Sequence, residues 1–337
     1  MSTPSAHDRK RIPAAFAMQG GLPGALFVPD VLARLHDRLD IVDESITDFA
    51  EADPTRLAGL EVLVTGWGAP TIGARELERM PNLRAVFHAA GTVKGHLSRE
   101  VWDRGVLVTT AALANAYPVA EYTLAMILLS GKDAFSIAAD YRAGILRDPA
   151  AGTGNYRRTV GIVSASTVGR LVIGLLASFD LRVLLYDPLI APDDPVLGIA
   201  ERVDLADLLR RSSIVSVHAP LLPETRGMIG AAELAMMPVG ATLINTARAL
   251  IVDQDALAAE LEDGRIKAVL DVSEPEPLPL DDRLWSVPGV MLTPHIAGAL
   301  GNELLRLGES VVREVELFSD GLPPAFPVRK HDLSAMA

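Results

Sequence analysis

Residues 159–176 read TVGIVSASTVGRLVIGLL. The stretch opens on an apolar run suited to a buried strand (159–164), tightens into a small polar turn and leaves it with helical spacing. Strand, tight turn and helix in so few residues begin a unit whose next strand lies parallel to the first. The pattern repeats downstream, with strand candidates at 182–186, 214–218, 241–245, 268–271 and 290–293 and its clearest helix at 253–264. It is also present upstream, where strand candidates at 14–18, 61–65, 83–89 and 106–110 alternate with helical segments such as 31–39 and 72–79. Two successive α/β series predict two doubly wound parallel sheets, each covered on both faces.

Between the series, a long helix is expected to start after Pro118, because proline suits a helix's first turn. It is expected to run over 119–146, with weak points at Gly131 and Gly144. Residues 147–158, RDPAAGTGNYRR, read as a loop, the first twelve residues as a tail, and 302–320 as the last long helix.

A chain of 337 residues exceeds the usual size of one domain, so two are expected. With 49% apolar and 22% charged residues, it has ample material for buried cores. The net charge of −12 argues against a nucleic-acid or anionic-membrane partner, both of which need excess Lys and Arg. Cysteine is absent, which excludes disulfides, thiolate metal sites and cysteine nucleophiles and suits a reducing compartment. The start, MSTPSAHDRKR, lacks an apolar signal core, and the longest apolar run, near 122–129, is too short to span a bilayer. The expectation is a soluble cytoplasmic protein with no membrane partner and no metal.

The turn after 159–163 is where a dinucleotide site would place its glycine fingerprint, G-x-G-x-x-G. Here the six positions are Ser164, Ala165, Ser166, Thr167, Val168 and Gly169, so only the third glycine remains. A pyrophosphate is held largely by backbone N–H groups at a helix N-terminus. The amides of Thr167 and Val168, with the hydroxyls of Ser166 or Thr167, are therefore the candidate cradle, provided the backbone stays permissive. The next strand candidate ends in LLYDP and places Asp187 eighteen residues after Gly169. An acid there accepts hydrogen bonds from ribose hydroxyls and repels a 2′-phosphate, which favours NAD over NADP. Arg182 falls on the other side of the strand and offers no phosphate clamp. The alternative role for Asp187 is a cap on the turn that follows.

Three later segments end strand candidates on residues of catalytic type. In GATLINTARALIVD (240–253), Arg248 can present paired donors to a carboxylate and polarise a neighbouring carbonyl, or pair on the surface with Asp253 or Asp255. In VLDVSEPEPLP (269–279), Asp271 ends a strand and a proline-stiffened loop carries Glu274 and Glu276. In VMLTPHIAG (290–298), His295 lies just past a strand end, where it serves either as a proton donor near neutral pH or as a structural histidine. Together the types suit reduction of a 2-keto acid. A cation takes the carboxylate, an imidazole donates a proton to the developing alkoxide, and a carboxylate beside that imidazole fixes its tautomer. A nicotinamide supplies the hydride.

Taken in order, LRAVFHAAGTVKG, NAYPVAEYTLAMIL, TVGIVSASTVGR, VLLYDP, VSVHAPLLPETRGMIG, INTARALIVD, LDVSEPEPLP and LTPHIAG resemble the D-isomer-specific 2-hydroxyacid dehydrogenase family over nearly the whole chain. The resemblance implies two Rossmann-like domains with the active cleft between them. A discontinuous substrate-binding domain would span 1–117 plus 300–337 and an NAD-binding domain 118–299, with hinge helices near 116–146 and 300–318 and a homodimer through the nucleotide domain. It implies Arg248, Glu276 and His295 as the catalytic set, Glu276 rather than Glu274 because the family's glutamate stands five residues after the strand-ending Asp271, directly before proline. It also implies that Asp271 faces the nicotinamide carboxamide, that His218, Ala219, Pro220 and Thr225 line the adenosine side, and that Thr246, Ala247 and Gly298 belong to the cofactor site. The substrate loop falls on residues 88–94, HAAGTVK, with Ala90, Gly91 and Thr92 expected to contact substrate. The family often has an aspartate near Lys94, so the loop departs from pattern: Lys94 either favours an extra anionic group or is solvated. His88 is either core packing or a pocket wall, whereas His7, His36, His96 and His331 read as surface residues.

Rival readings share the fold. A formate dehydrogenase normally has glutamine where Glu276 stands, and a phosphite-oxidising relative has a characteristic lysine nearer to Gly91 than to Lys94. A nucleotide-sensing or corepressor-like protein without turnover is the alternative from another class, and the altered SASTVG turn gives it substance.

Overall fold

Among the described residues, every strand lies parallel to the strands it pairs with, because helices or long crossovers rather than tight hairpins join successive strands. The computed structural model describes residues 10–42, 45–146 and 153–334. His7, most of the expected tail and the 147–152 part of the expected loop lie outside the described residues.

The chain divides into two compact units, one built from Met1–Asn115 and Ala299–Met336, the other from Ala116–Gly298. The first unit's sheet comprises β1 (Ile12–Ala17), β2 (Leu39–Val42), β3 (Val62–Thr65), β4 (Ala85–His88) and β5 (Leu107–Thr110), in the order β2-β1-β3-β4-β5. The second unit's sheet comprises β6 (Thr159–Val163), β7 (Arg182–Tyr186), β8 (Glu201–Arg202), β9 (Ile214–Val217), β10 (Thr242–Asn245), β11 (Lys267–Leu270) and β12 (Val290–Leu292). Its order is β12-β11-β10-β9-β6-β7-β8, the doubly wound arrangement in which the winding direction reverses beside the first strand.

Strands covered on both faces need apolar residues at successive positions, which is why they read as runs rather than alternations. In the first unit, Phe16, Val64 and Phe87 pack into one core, whereas Ala15, Leu63 and Val86 pack into another. In the second, Val163, Val215 and Leu243 face one core and Ile162, Ile214 and Ile244 the other. Both sheets therefore divide alternate side chains between two apolar layers.

The long linking helix differs from expectation. It starts at Ala112, not after Pro118, and ends at Gly131, so Pro118 lies inside it. An internal proline forfeits one helix bond and costs about 3 kcal/mol, yet Pro118 and its neighbours Ala114, Ala116 and Ala120 are buried, and packing holds the segment helical. After Gly131, the amides of Lys132 and Asp133 turn back to Leu129 and Ser130, and a separate helix, Ala134–Arg142, begins beyond Asp133 at φ 55°. The 20-residue helix is also longer than its apolar run and, with a mean hydropathy of 1.3, is long and apolar enough to cross a membrane by length and composition. Its Met126 and Ile127 nonetheless belong to the second unit's core.

Sequence reading passed over β2 and β8. Both are edge strands, and two-residue β8 consists of Glu201 and Arg202, so neither carries the apolar run of a central strand.

Candidate active site

In the second unit, every candidate cofactor or catalytic residue from Ser164 to His295, apart from Thr225, follows closely on the carboxyl end of a strand. In a parallel sheet those ends share one edge, and the crevice beside the reversal point is where such folds take ligands. Residues far apart in sequence are thereby gathered.

The fingerprint turn is glycine-like without its first two glycines. Ser164 follows β6 at φ 84°, a left-handed backbone normally left to glycine. Its hydroxyl donates to Asp187 Oδ2 at 3.2 Å, and the Ala165 amide donates to the same oxygen at 2.8 Å. Ser166 is the N-cap of the helix Thr167–Leu176, its Oγ accepting the Gly169 N–H at 3.3 Å. Gly169 is required by close approach, since a Cβ there would lie 2.1 Å from the Ser164 carbonyl oxygen. The first-turn amides of Thr167 and Val168 have no acceptor within the helix. The turn therefore fits a dinucleotide pyrophosphate: the sharp bend, the close helix–strand approach and the open amides are all present. Asp187 also accepts the Leu189 amide at 2.8 Å, so it caps its own turn.

After β9, His218 is buried and its Nε2 lies 2.9 Å from Ser216 Oγ. Burial pulls its pKa down to about 3, so the ring is neutral at physiological pH. Ala219 is buried and Pro220 half-buried. The Thr225 hydroxyl accepts the Leu222 amide at 2.8 Å and donates to the Pro220 carbonyl at 2.5 Å, which closes this loop on itself.

The turn after β10 is organised by Asn245, which the sequence reading did not single out. Its Oδ1 accepts the Ala247 amide at 3.0 Å and its Nδ2 donates to the Arg248 carbonyl at 3.0 Å. Thr246 is buried, its hydroxyl 3.0 Å from that of Thr123. Arg248 is half-buried and donates from Nη1 to the Ala247 carbonyl at 2.7 Å. Burial lowers its pKa from the ordinary value, and the neighbouring Glu276 carboxylate opposes that shift. The two acids offered as its alternative partners are engaged elsewhere: Asp253 caps a helix through the Ala256 amide at 3.0 Å, and Asp255 pairs with Arg283 at 3.1 Å.

Asp271, 1% exposed, organises the loop that carries His295. Its Oδ1 accepts the Thr293 hydroxyl at 2.6 Å and the Ile296 amide at 2.8 Å, and its Oδ2 accepts the Ala297 amide at 2.8 Å. Thr293, having spent its proton on Asp271, accepts from the Tyr122 phenol at 2.8 Å. Burial raises the Tyr122 pKa, which keeps it a donor. His295 itself sits at φ 56°, its amide directed to the Asp271 carbonyl at 2.9 Å. On the loop from β11, the Gln254 side chain brackets the Glu274 backbone, donating to its carbonyl at 2.9 Å and accepting its amide at 3.0 Å. The result places Glu276 Oε1 2.7 Å from His295 Nδ1. Glu274 makes no such contact. Gly298 closes the unit two residues beyond Ile296.

The first unit holds a separate pocket after β3 and β4, a cavity of about 240 Å³ whose lining includes Trp67, His88, Ala90, Gly91, Thr92 and His96. His88 is buried, its Nδ1 2.9 Å from Thr65 Oγ1, so it is both core and pocket wall. His96, expected at the surface, is 8% exposed, and its ring lies tilted against that of His88 with centroids 4.5 Å apart. The amides of His96 and Leu97 turn back to the Val93 carbonyl, so Val93, His96 and Leu97 share one inward face that polar Lys94 and Gly95 conceal in the sequence. His36, also expected at the surface, is half-buried beside Leu35, whereas His331 is exposed. Lys94 is exposed, its amide donating to Thr92 Oγ1 at 3.3 Å. No group of three or more acidic or histidine side chains suited to a metal occurs among the described residues.

Residues 124–297 match the family described as D-isomer specific 2-hydroxyacid dehydrogenase, NAD binding domain. The chain is 35% identical over 252 residues to a D-3-phosphoglycerate dehydrogenase of Mycobacterium leprae, covering 74% of this chain and 47% of that protein, so it spans about half that relative's length. It is 33% identical over 297 residues to a glyoxylate reductase of Korarchaeum cryptofilum, covering 86% of this chain and 89% of the relative. Among solved structures, a phosphoglycerate oxidoreductase from Rhizobium etli superposes with a TM-score of 0.81 at 27% identity, covering 95% of this chain and 98% of that one. With the strand-end cluster, the parallel sheets and this extended similarity together, the chain belongs to the D-isomer specific 2-hydroxyacid dehydrogenase family.

Proposed function

We propose that this protein interconverts a 2-keto acid and its D-2-hydroxy acid, with NAD(H) as the redox partner and His295, Glu276 and Arg248 as the catalytic set. The observation that carries the reading is the 2.7 Å contact between His295 Nδ1 and Glu276 Oε1. With Nδ1 engaged by the carboxylate, Nε2 is the ring nitrogen that exchanges a proton with the substrate oxygen. Half-buried Arg248 binds the substrate carboxylate and polarises the adjacent carbonyl, its guanidinium strengthened by partial removal from water. Asp271 and Gln254 set the two loops and so hold His295 and Glu276 in register. The amides of Ala90, Gly91 and Thr92 are further substrate contacts.

A bound nicotinamide dinucleotide supplies or accepts the hydride. Thr167 and Val168 would hold its pyrophosphate and Asp187 its ribose. The preference for NAD is supported by the charge of Asp187 and by Arg170, which is engaged on both guanidinium branches by Asp194 at 2.7 Å rather than left for a 2′-phosphate. A homodimer is supported by apolar surface on the second unit, where Tyr141, Leu146 and Tyr156 are 71%, 83% and 71% exposed.

NADH oxidation against a panel of 2-keto acids, glyoxylate and hydroxypyruvate included, tests the reading. Turnover that His295→Ala reduces by at least ~100-fold is expected. Tight NADH binding without turnover on any acid would replace the enzyme with a nucleotide-sensing protein, a reading favoured only by the serine-substituted turn.

A further inference from the structure

We propose that the first unit's cavity is the subsite for the substrate's side chain, and that its paired buried histidines, His88 and His96, restrict it to an uncharged substituent, excluding phosphate, sulfonate or a second carboxylate. The inference rests on the reading above, which gives Gly91 and Thr92 to the substrate. Both residues line the cavity, so an acid held at that loop has its substituent beside the same walls.

The lining contains no lysine, arginine, aspartate or glutamate. Its polar side chains are the Trp67 indole, the Thr92 hydroxyl and the two imidazoles. His88 is anchored from behind by Thr65, and the His96 ring lies against it. A phosphate or carboxylate entering here would leave water for a wall without a compensating cation, a costly transfer. Protonated imidazoles would supply one, but burial and the neighbouring ring drive His88 down to about 3, and burial drives His96 to about 4. Both rings are therefore neutral at physiological pH. Lys94, the nearby cation in sequence, is exposed and is not part of the lining. The Nε2 of His96 is buried and has no hydrogen-bond partner among the described residues. A neutral hydroxyl-bearing substituent offers that wall a partner without the desolvation cost of a charge. The Mycobacterium leprae relative is named for a phosphorylated acid; this cavity points to a different substituent.

The test compares matched pairs on the purified full chain: hydroxypyruvate with its 3-phosphate, and pyruvate with sulfopyruvate. The expected kcat/KM is at least ~10-fold higher for the uncharged member of each pair. Trp67→Arg, at a position 39% exposed and so tolerant of charge, should narrow both ratios by at least ~5-fold. A wild type that uses the charged members as well as or better than the uncharged ones would overturn the inference. Where none of the four is turned over, the cavity is read instead by imidazole NMR with the same four acids, and the wider keto-acid panel decides the enzymatic reading. Shifts of the His88 and His96 resonances, assigned with His96→Gln, by the uncharged members alone uphold the inference; shifts by the charged members, or by none, overturn it.

Discussion

Ser164 donates its hydroxyl to Asp187 at 3.2 Å, joining the first glycine position of the fingerprint to the acidic end of the neighbouring strand. The same carboxylate oxygen takes the Ala165 amide, and the other takes that of Leu189. The turn cap foreseen as an alternative for Asp187 is therefore present in the structure. It does not exclude the ribose role, because a carboxylate offers about four acceptor sites and a charge that capping leaves in place.

Two substitutions separate those roles. Asp187→Ala removes cap and charge together, and is expected to cost about 1–3 kcal/mol of stability and to raise the NADP/NAD ratio of kcat/KM at least ~10-fold. Asp187→Asn keeps a carbonyl acceptor but loses the charge, so cofactor selectivity should relax while most of the stability survives. Urea unfolding and steady-state rates with both cofactors measure the two effects. Unchanged selectivity in Asp187→Asn would leave Asp187 as a cap alone.

Ser164→Gly should be neutral to stabilising. A residue with a Cβ in the left-handed region costs about 1–2 kcal/mol, whereas the 3.2 Å hydroxyl contact that is lost is partly exposed and worth about 0.5–1 kcal/mol. Ser164→Val keeps the Cβ, adds β-branching and loses the contact, and should fall by about 2 kcal/mol. Chemical denaturation that ranks valine at or above glycine would mean that the turn is not held at positive φ.

Gln254→Ala tests positioning at a distance from the reacting atoms. Without the bracket on Glu274, the loop that presents Glu276 gains freedom, and kcat is expected to fall about 5–20-fold with the keto-acid KM nearly unchanged. A purely structural role would lower the unfolding midpoint and leave kcat per folded molecule intact. His295→Ala supplies the upper bound, a loss of at least ~100-fold.

These residues show where the sequence was legible. The central strands, buried on both faces, announced themselves as apolar runs, and parallel topology then placed Asp187, Arg248, Glu276 and His295 on one edge. Choosing Glu276 over Glu274 needed the family's spacing, because both are loop glutamates before proline; the contact to His295 appears only in the fold. Asn245 and Gln254 escaped notice since their work is done on backbone groups, and a single amide side chain carries no pattern. His96 was misplaced because Lys94 and Gly95 broke up an inward face of three residues. Pro118 misled as a helix start because burial outweighed its local cost.

The buried histidines make the protein acid-sensitive in a definite window. His88, His96 and His218 have pKa values lowered to about 3, 4 and 3, chiefly by burial, against ~6.5 in an unfolded chain. Between those limits the unfolded chain takes up protons that the folded one refuses, so stability falls as pH falls. The contribution is complete above about pH 6.5 and is lost progressively down to about pH 4 for His96 and pH 3 for the other two. From pH 6.5 to 5, each imidazole should cost about 1–2 kcal/mol. Urea unfolding of the wild type and of His96→Gln at pH 7, 6 and 5 checks this. The variant begins less stable at pH 7, because no ring packs against His88, but its stability should decline less steeply towards pH 5 by the share of one proton. Parallel slopes would mean that His96 takes up no proton on unfolding, and its burial against His88 would then be wrong.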